Sequence, residues 1–212
     1  VERIEKAIQN NEKILIYGDY DVDGTTAVSL VYSYLNSLYP NVATYIPDRY
    51  DEGYGISFKG IDFAEDNGFS IIIALDCGIK AHDKIEYANS KNIDFIIADH
   101  HLPDSEIPNA VAVLDPKRKD CDYPYKELCG CGIGFKIIQA LAEKRGQKTE
   151  DLVEYLDLVA TAIGADIVPI TGENRILAKF GLEVINKNPR NGIKALTQNI
   201  KKEELNITDV VF

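Results

Sequence analysis

The chain has 212 residues, of which 45% are hydrophobic and 27% are charged. This length and composition allow one large globular domain with a sizeable core, and they exclude a minimal signalling module. No apolar run approaches the roughly 20 residues that a membrane-spanning helix needs. The formal net charge of −11 argues against a protein that coats nucleic acid, unless some of the carboxylates bind divalent cations.

Short β-rich apolar runs alternate with helical patterns, which predicts an α/β domain with a mainly parallel five-stranded sheet flanked by helices. The predicted strands cover residues 13–17, 42–46, 70–75, 94–98 and 111–114. The predicted helices cover residues 2–10, 25–38, 58–67, 82–91, 133–145, 150–163 and 173–187. No strand is predicted after about residue 131, so we expect an α/β core over 1–130 and a helical part of the same domain over 131–212.

Acidic and imidazole side chains follow three of the predicted strands, at the points where the strands end. Asp19, Asp21 and Asp23 follow the first strand, Asp76 follows the third, and Asp99, His100 and His101 follow the fourth. Each of the aspartates alone would usually be a turn or helix-capping residue. In open α/β sheets, however, ligands bind beyond the carboxyl ends of the strands. We therefore expect these side chains to converge on one site.

Converging carboxylates repel one another, and their pKa values rise unless cations neutralise them. Oxygen ligands with one or two imidazoles suit Mn²⁺ or Mg²⁺ better than a closed structural zinc site. Two such ions bridged by a shared carboxylate form an arrangement that cleaves phosphoesters, and Asp76, on a central strand, is placed to bridge them. Asp166 follows an apolar helical segment and is a further candidate, although alone it would be an ordinary helix-end aspartate.

Three other features have simpler interpretations. The four cysteines show no C-x-x-C spacing, which favours buried free thiols in a reducing cytoplasm over a zinc site formed by Cys121, Cys129 and Cys131. The glycine-rich run 130–134 lacks the spacing of a phosphate-binding loop and follows no clear strand, which favours tight helix packing. The charges of the polar loop 115–122 are most simply solvated.

Four segments, in order along the chain, resemble the motifs of the DHH phosphoesterase superfamily. They are Asp19-Tyr20-Asp21-Val22-Asp23-Gly24, Leu75-Asp76-Cys77-Gly78, Ala98-Asp99-His100-His101 and Gly164-Ala165-Asp166. The triplet Asp99-His100-His101, after which the superfamily is named, would be a weak signal alone. Four motifs in family order across nearly the whole chain are a strong one.

Within the superfamily the chain is most similar to the RecJ-type single-stranded-DNA-specific exonucleases, through residues 46–55, 130–136 and 166–175. The pyrophosphatase branch has a histidine four residues before its first paired aspartate, where this chain has Tyr17. Arg49, in the first of these segments, is a candidate phosphate clamp because its planar fork matches phosphate oxygens. Its alternative partners are neighbouring carboxylates: Asp48, Asp51 and Glu52.

The resemblance implies two divalent cations, with Mn²⁺ preferred and Mg²⁺ as the alternative. One cation would be held by Asp23, Asp76, His100 and Asp166, and the other by Asp21 and Asp76, with Asp19 as an additional candidate. His101 would handle a proton near the scissile phosphate. Asp99 would orient a histidine, because imidazoles at metal sites usually need a carboxylate or carbonyl partner.

The function implied by the resemblance is a metal-dependent phosphodiesterase, namely a 5′-to-3′ exonuclease with single-stranded DNA as its partner and no membrane association. The nearest alternative is a DHH phosphodiesterase that acts on short oligonucleotides or cyclic dinucleotides. A phospho-receiver module is disfavoured because it is about half as long and has no use for His100 and His101. A catalytically inactive scaffold is also disfavoured, since every motif position is filled. We expect this chain to be a fragment that lacks the second domain of the family.

Overall fold

The computed structural model describes residues 1–210 and contains a five-stranded parallel sheet with helices on both faces. The strands are β1 (Lys13–Gly18), β2 (Val42–Tyr45), β3 (Phe69–Leu75), β4 (Asp94–Ala98) and β5 (Ala112–Leu114). The α-helices are α1 (Glu2–Gln9), α2 (Val22–Leu38), α3 (Phe58–Asp66), α4 (His82–Ser90), α5 (Gly130–Lys144), α6 (Leu156–Ala165), α7 (Gly172–Lys187) and α8 (Asn191–Thr197). Two 3₁₀ helices cover Thr149–Tyr155 and Ile207–Asp209. The predicted fold class is confirmed.

The sheet is buried on both faces, which explains why its strands are nearly continuous apolar runs. In β3, Ile71 and Ile73 pack into a large core with α1, α2, α5, α6 and α7. The alternate residues Ile72 and Ala74 pack into a second core with α3 and α4. The two cores follow from the period-two alternation of side chains along a strand. Within residues 1–210, no helix is both long and apolar enough to cross a membrane.

The helices differ from the sequence prediction in four main respects. Helix α2 begins three residues earlier, at Val22, because the Asp21 carboxylate accepts a hydrogen bond from the Gly24 amide and caps the helix. Helix α5 begins at Gly130 instead of residue 133. The segment predicted as one helix over 150–163 is a 3₁₀ turn followed by α6, and α8 was not predicted. Glycine content hid the starts of α2 and α5, since glycine lowers helix propensity.

The strand order is β2-β1-β3-β4-β5. Strand β2 therefore lies on one side of β1, whereas β3, β4 and β5 follow on the other side. Open α/β sheets bind ligands at such a switch point in strand order, which here lies between β1 and β3. The register aligns the strand ends: Gly18 lies beside Leu75, and Leu75 lies beside Ala98. The residues that follow these strands are consequently brought to one edge of the sheet.

Candidate metal centre

A row of aspartates lies along the carboxyl edge of the sheet. Each follows directly the last residue of a strand: Asp19 after β1, Asp76 after β3, Asp99 after β4 and Asp115 after β5. All four are buried, with relative exposures between 0% and 3%. Ala98 pairs with Leu114 in the register of β4 and β5, so Asp99 and Asp115 are neighbours in the row. The first three are among the residues predicted from the sequence, whereas Asp115 is not, although Val113-Leu114-Asp115 carries the same strand-end signal.

His100 is the centre of the first ligand group. Its Nε2 atom lies 3.1 Å from Asp76 Oδ1, 3.6 Å from Asp23 Oδ2 and 3.6 Å from Asp166 Oδ2. His100 follows β4, Asp76 follows β3, Asp23 lies in α2 and Asp166 follows α6, so both predicted parts of the chain contribute. The donor atoms of Asp23, His100 and Asp166 lie within 4.8 Å of one another, as do those of Asp76, His100 and His101. The fold thus brings four of the six predicted ligands together: Asp23, Asp76, His100 and Asp166.

Asp23 is held by the amino terminus of α5. Its two carboxylate oxygens accept hydrogen bonds from the backbone amides of Gly130 (2.6 Å) and Cys131 (2.7 Å). A carboxylate at a helix amino terminus also interacts favourably with the helix dipole. Gly130 is required for another reason, because a Cβ atom there would lie 2.5 Å from Asp76 Cβ and 2.6 Å from Asp76 Oδ1. The run 130–134 is thus tightly packed helix, as predicted, and it packs directly against the ligand group.

Asp19 and Asp21 lie beside these groups but have other partners. Asp21 caps α2 through Oδ1, which leaves Oδ2 without a hydrogen bond from the described part of the chain. Asp19 accepts the amide of Tyr20 at 2.7 Å and that of Gly55 at 3.1 Å, one on each carboxylate oxygen. Burial, opposed by these hydrogen bonds, raises the pKa of Asp19 to about 6. Asp19 therefore supports the loop around Gly55 in addition to any role toward a cation.

Asp99 orients His101 and not His100. Its Oδ1 atom lies 2.7 Å from His101 Nδ1 and accepts the amides of His100 and His101, while Oδ2 accepts the amide of Ile79. With Nδ1 on this carboxylate, the Nε2 atom of His101 faces outward, where Tyr54 Oη lies at 3.5 Å. The side chain of His101 is 43% exposed, whereas that of His100 is 8% exposed. The two histidines thus differ in both partner and solvent access.

Residues 13–163 match the DHH family, N-terminal domain. The chain belongs to the DHH family. It is 43% identical over 195 residues to the single-stranded-DNA-specific exonuclease RecJ of Bacillus subtilis, which covers 92% of this chain and 24% of that protein. It is 36% identical over 225 residues to RecJ of Escherichia coli, which covers all of this chain and 39% of that protein. The chain thus spans well under half the length of these two relatives.

Solved structures of relatives show the same DHH fold. A crystal structure of exonuclease RecJ bound to manganese matches with a TM-score of 0.88 at 29% sequence identity, covering all of this chain and 53% of that one. RecJ from Thermus thermophilus in complex with Mn²⁺ matches with a TM-score of 0.83 at 26% identity, covering all of this chain and 30% of that one. The resemblance inferred from the four motifs is confirmed.

The electrostatics of this DHH centre favour bound cations. Burial, and then the charges of Asp23, Asp21, Asp99 and Asp166, raise the pKa of Asp76 far above its ordinary value. Burial also raises the pKa of Asp23. Asp76 Oδ1 is buried and has no hydrogen-bond partner within residues 1–210. A buried carboxylate oxygen without a donor is costly, and coordination of a metal ion would satisfy it.

His100 has the protonation state that a metal ligand needs. Burial, and then the nearby His101, lower its pKa to about 4, so the imidazole is neutral at physiological pH. The pKa of His101 is raised instead, chiefly by its hydrogen bond with Asp99. A neutral imidazole coordinates a cation, whereas a histidine that is protonated more readily can exchange a proton. Each member of the pair is suited to a different task.

Arg49 and the cysteines have the following environments. Arg49 stacks on Tyr20, with its guanidinium carbon 5.4 Å from the ring centroid, and Tyr20 contacts Tyr54 edge to face at 5.7 Å. Within residues 1–210, Arg49 forms none of the ion pairs with neighbouring carboxylates that the sequence also allowed.

The cysteines are free thiols, and Cys129 caps α5. None of them belongs to a ligand group in this part of the chain.

Proposed function

We propose that this chain is the catalytic part of a metal-dependent phosphodiesterase that degrades single-stranded DNA from its 5′ end. The observation that carries the proposal is the buried, unpartnered Oδ1 atom of Asp76, 3.1 Å from the neutral imidazole of His100. Two solved RecJ structures that match the whole chain contain Mn²⁺, and one of them is RecJ from Thermus thermophilus. RecJ from Thermus thermophilus has also been solved in complex with Mg²⁺. Similarity to RecJ exonucleases supports the class of reaction and of substrate.

The donor set fits two divalent cations, with Mn²⁺ preferred. One would be held by Asp23, Asp76, His100 and Asp166, and the other by Asp21 and Asp76, so that Asp76 would serve both. When bound, such cations activate water and stabilise negative charge on the leaving oxygen. Asp19 retains lone pairs that could reach the second cation, but two backbone amides already use its oxygens.

The protein side chains perform the remaining steps. Asp99 fixes the ring of His101 through Nδ1, so that Nε2 is presented to the substrate and can accept or return a proton. Arg49, supported by the Tyr20 ring, binds phosphate oxygens through its planar fork. The helical residues 131–212 complete the same domain as the sheet, since α5, α6 and α7 share its larger core. The four free thiols suit a reducing cytoplasm.

The test is Mn²⁺-dependent hydrolysis of a single-stranded oligonucleotide, labelled separately at each end, by the wild-type chain and Asp76→Asn. Asparagine keeps the shape of the side chain and tolerates the left-handed backbone at this position. The variant should lose at least about a hundredfold in turnover, because even residues that only support metal ligands are worth 10–100-fold. Asp66→Asn is the matched control, since Asp66 is exposed at the end of α3.

Three results would overturn parts of the proposal. Full activity in Asp76→Asn with unchanged Mn²⁺ binding would exclude the bridging role. Release of mononucleotides from the 3′ end would reverse the polarity. Preferential hydrolysis of cyclic dinucleotides over any linear strand would move the chain to the branch with small substrates.

A further inference from the structure

The loop between β5 and α5 carries several cations, and the structure separates them by role. They are Lys117, Arg118, Lys119 and Lys126. Arg118 donates to the carbonyl of Val113 and forms a bidentate salt bridge with Asp120, through Nε and Nη2. Lys126 donates to the carbonyl of Cys121 at 2.6 Å. These two cations hold the loop in shape, and Lys119 is exposed to solvent. Lys117 is thus the cation without an explained role.

Lys117 lies beside the metal centre because of the sheet register. The amide of Asp99 donates to the carbonyl of Leu114 at 3.0 Å, so β5 ends level with the DHH triplet. Asp115 then turns the chain, since its Oδ1 atom accepts the amide of Lys117 at 2.7 Å. This turn keeps Lys117 close to the carboxyl edge of the sheet, where it is half-buried. The prediction that the charges of this loop are simply solvated was wrong for Asp115, which is buried.

The charge of Lys117 acts on the two sides of the centre. Burial has the largest influence on the pKa values of His100 and Asp166. The hydrogen bond with Asp99 has the largest influence on the pKa of His101. The positive charge of Lys117 lowers all three pKa values, although the two histidines follow β4 and Asp166 follows α6.

Its ammonium group has no carboxylate of its own. Within residues 1–210, no carboxylate oxygen lies within 4 Å of Lys117 Nζ, whereas several other lysines near this edge, such as Lys80, do form ion pairs. A charged side chain that is partly buried normally gains a hydrogen-bonded anion, because partial desolvation of an unpaired charge is unfavourable. At a centre that cleaves phosphodiesters, the missing anion is available from the substrate.

We infer that Lys117 binds a nonbridging oxygen of the substrate nucleotide's phosphate at the metal centre. The inference rests on the proposed function and extends it by one substrate-binding residue. A lysine ammonium is a compact charge with three donors, so it can follow a phosphate without a fixed fork geometry. It would also balance part of the negative charge that the phosphate brings next to Asp166.

The experiment measures binding of thymidine 5′-monophosphate, a mononucleotide of the product class, in saturating Mn²⁺ by calorimetry. Lys117→Gln should weaken binding by about tenfold or more, because hydrogen bonds to charged groups are worth about 1.5–3 kcal/mol. Lys117→Arg should retain most of the affinity. Lys119→Gln, two residues along the same loop but exposed, is the matched control and should bind like wild type. Mn²⁺ affinity of Lys117→Gln should be unchanged or slightly higher, since a neighbouring positive charge has been removed.

Several outcomes overturn the inference. The first is equal nucleotide affinity in Lys117→Gln and Lys119→Gln. The second is a loss of Mn²⁺ affinity in Lys117→Gln that accounts for its weaker nucleotide binding. The third is no nucleotide binding by wild type. The proposed function fails separately, if wild type binds the nucleotide through Lys117 but does not hydrolyse single-stranded DNA. Thermal unfolding of each variant identifies a folding defect, and Lys117→Arg then provides the deciding comparison.

Discussion

Left-handed backbone conformations occur at one proposed ligand of the centre and directly after another. Four non-glycine residues of the described chain have positive φ: Asn11, Asp76, Asn92 and Ile167. Asparagine tolerates this region, but a β-branched residue such as Ile167, with φ of 57°, is rare there. Asp76 is a proposed ligand, and Ile167 directly follows another, Asp166. Strain of this kind costs roughly 1–3 kcal/mol and persists only where the surrounding structure imposes it. Here the surrounding structure imposes it at Asp76 and directly after Asp166.

The contrast between the two histidines leads to a prediction about their alanine variants. His100→Ala should weaken Mn²⁺ binding, because its buried, neutral Nε2 atom lies among three carboxylates. His101→Ala should lower turnover by about 10²- to 10⁴-fold, as expected for a proton-transferring group, while Mn²⁺ binding stays nearly intact. Metal titration and steady-state kinetics on one oligonucleotide separate the two effects.

Excess Mn²⁺ provides the internal control for this pair. It should restore part of the activity of His100→Ala and none of that of His101→Ala. A ring nitrogen of His101 lies within 4.8 Å of ligand atoms of Asp76 and His100, so a ligand role is geometrically compatible. An equal loss of metal affinity in both variants would show that His101 is a ligand and that the proton is handled elsewhere.

Asp115 should make stability depend on pH. Burial, and then the charge of Asp99, raise its pKa from 3.8 to about 6, although the amide of Lys117 opposes this shift. An acid whose pKa is higher in the folded state stabilises the fold below that pKa, and this advantage disappears as the pH rises through about 6. Relative to wild type, Asp115→Asn should therefore gain about 2 kcal/mol of unfolding free energy between pH 4 and pH 7.

Urea unfolding of both proteins in EDTA at several pH values measures this difference without a contribution from metals. Asparagine keeps an oxygen for the amide of Lys117, so the turn itself should survive. A difference that stays constant with pH would mean that Asp115 titrates normally in the folded state.

At the scale of secondary structure, the amino terminus of α5 is the element that connects the helical part to the centre. Gly130→Ala should disrupt it, because the new Cβ atom would overlap Asp76 at 2.5–2.6 Å. We expect a large loss of Mn²⁺ affinity and activity, since Asp76 or the amides that hold Asp23 must move. Calorimetric Mn²⁺ titration measures the effect.

Gly132→Ala is the matched control in the same helical turn. Its Cβ atom would meet nothing closer than Leu128 Cδ2 at 3.4 Å. Alanine also has a higher helix propensity than glycine by about 1 kcal/mol, so this variant should keep its metal and gain stability. If both variants bind Mn²⁺ equally well, the contact between α5 and Asp76 does not determine the geometry of the centre.

The strands and the residues that follow them could be predicted from the sequence, whereas the long-range contacts of the centre could not. The five strands were predicted because their apolar runs carry the burial signal directly, and the positions of the aspartates after them followed from strand ends. The contacts of Gly130 with Asp76 and of Asp19 with Gly55 were not predictable. They join residues that are 54 and 36 positions apart, and neither glycine has a side chain whose chemistry would indicate a partner. Lys117 was missed because no local pattern separates it from Lys119.

For the molecule as a whole, the net charge of −11 limits how this chain can hold a polyanion. Arg49 and Lys117, the two cations proposed to bind phosphate, have no carboxylate partner in the described structure. Several others near the carboxyl edge, including Lys80, Lys84 and Lys136, pair with carboxylates. The chain also spans only 24% and 39% of the RecJ proteins of Bacillus subtilis and Escherichia coli. We therefore expect local recognition of a strand end and little grip on a long strand.

A salt titration of single-strand binding tests this expectation. Each phosphate neutralised on a single strand contributes about −0.7 to the slope of log affinity against log salt concentration. With two cations engaged, the slope should be roughly −1 to −2, and an oligonucleotide of a few nucleotides should bind nearly as well as a long one. Removal of one cation in Arg49→Gln should reduce the slope by less than about one unit. A slope several times steeper, or affinity that rises strongly with strand length, would require a basic groove elsewhere on the chain. Such a groove would have to overcome the repulsion of the acidic surface, so its effect would weaken sharply as salt is added.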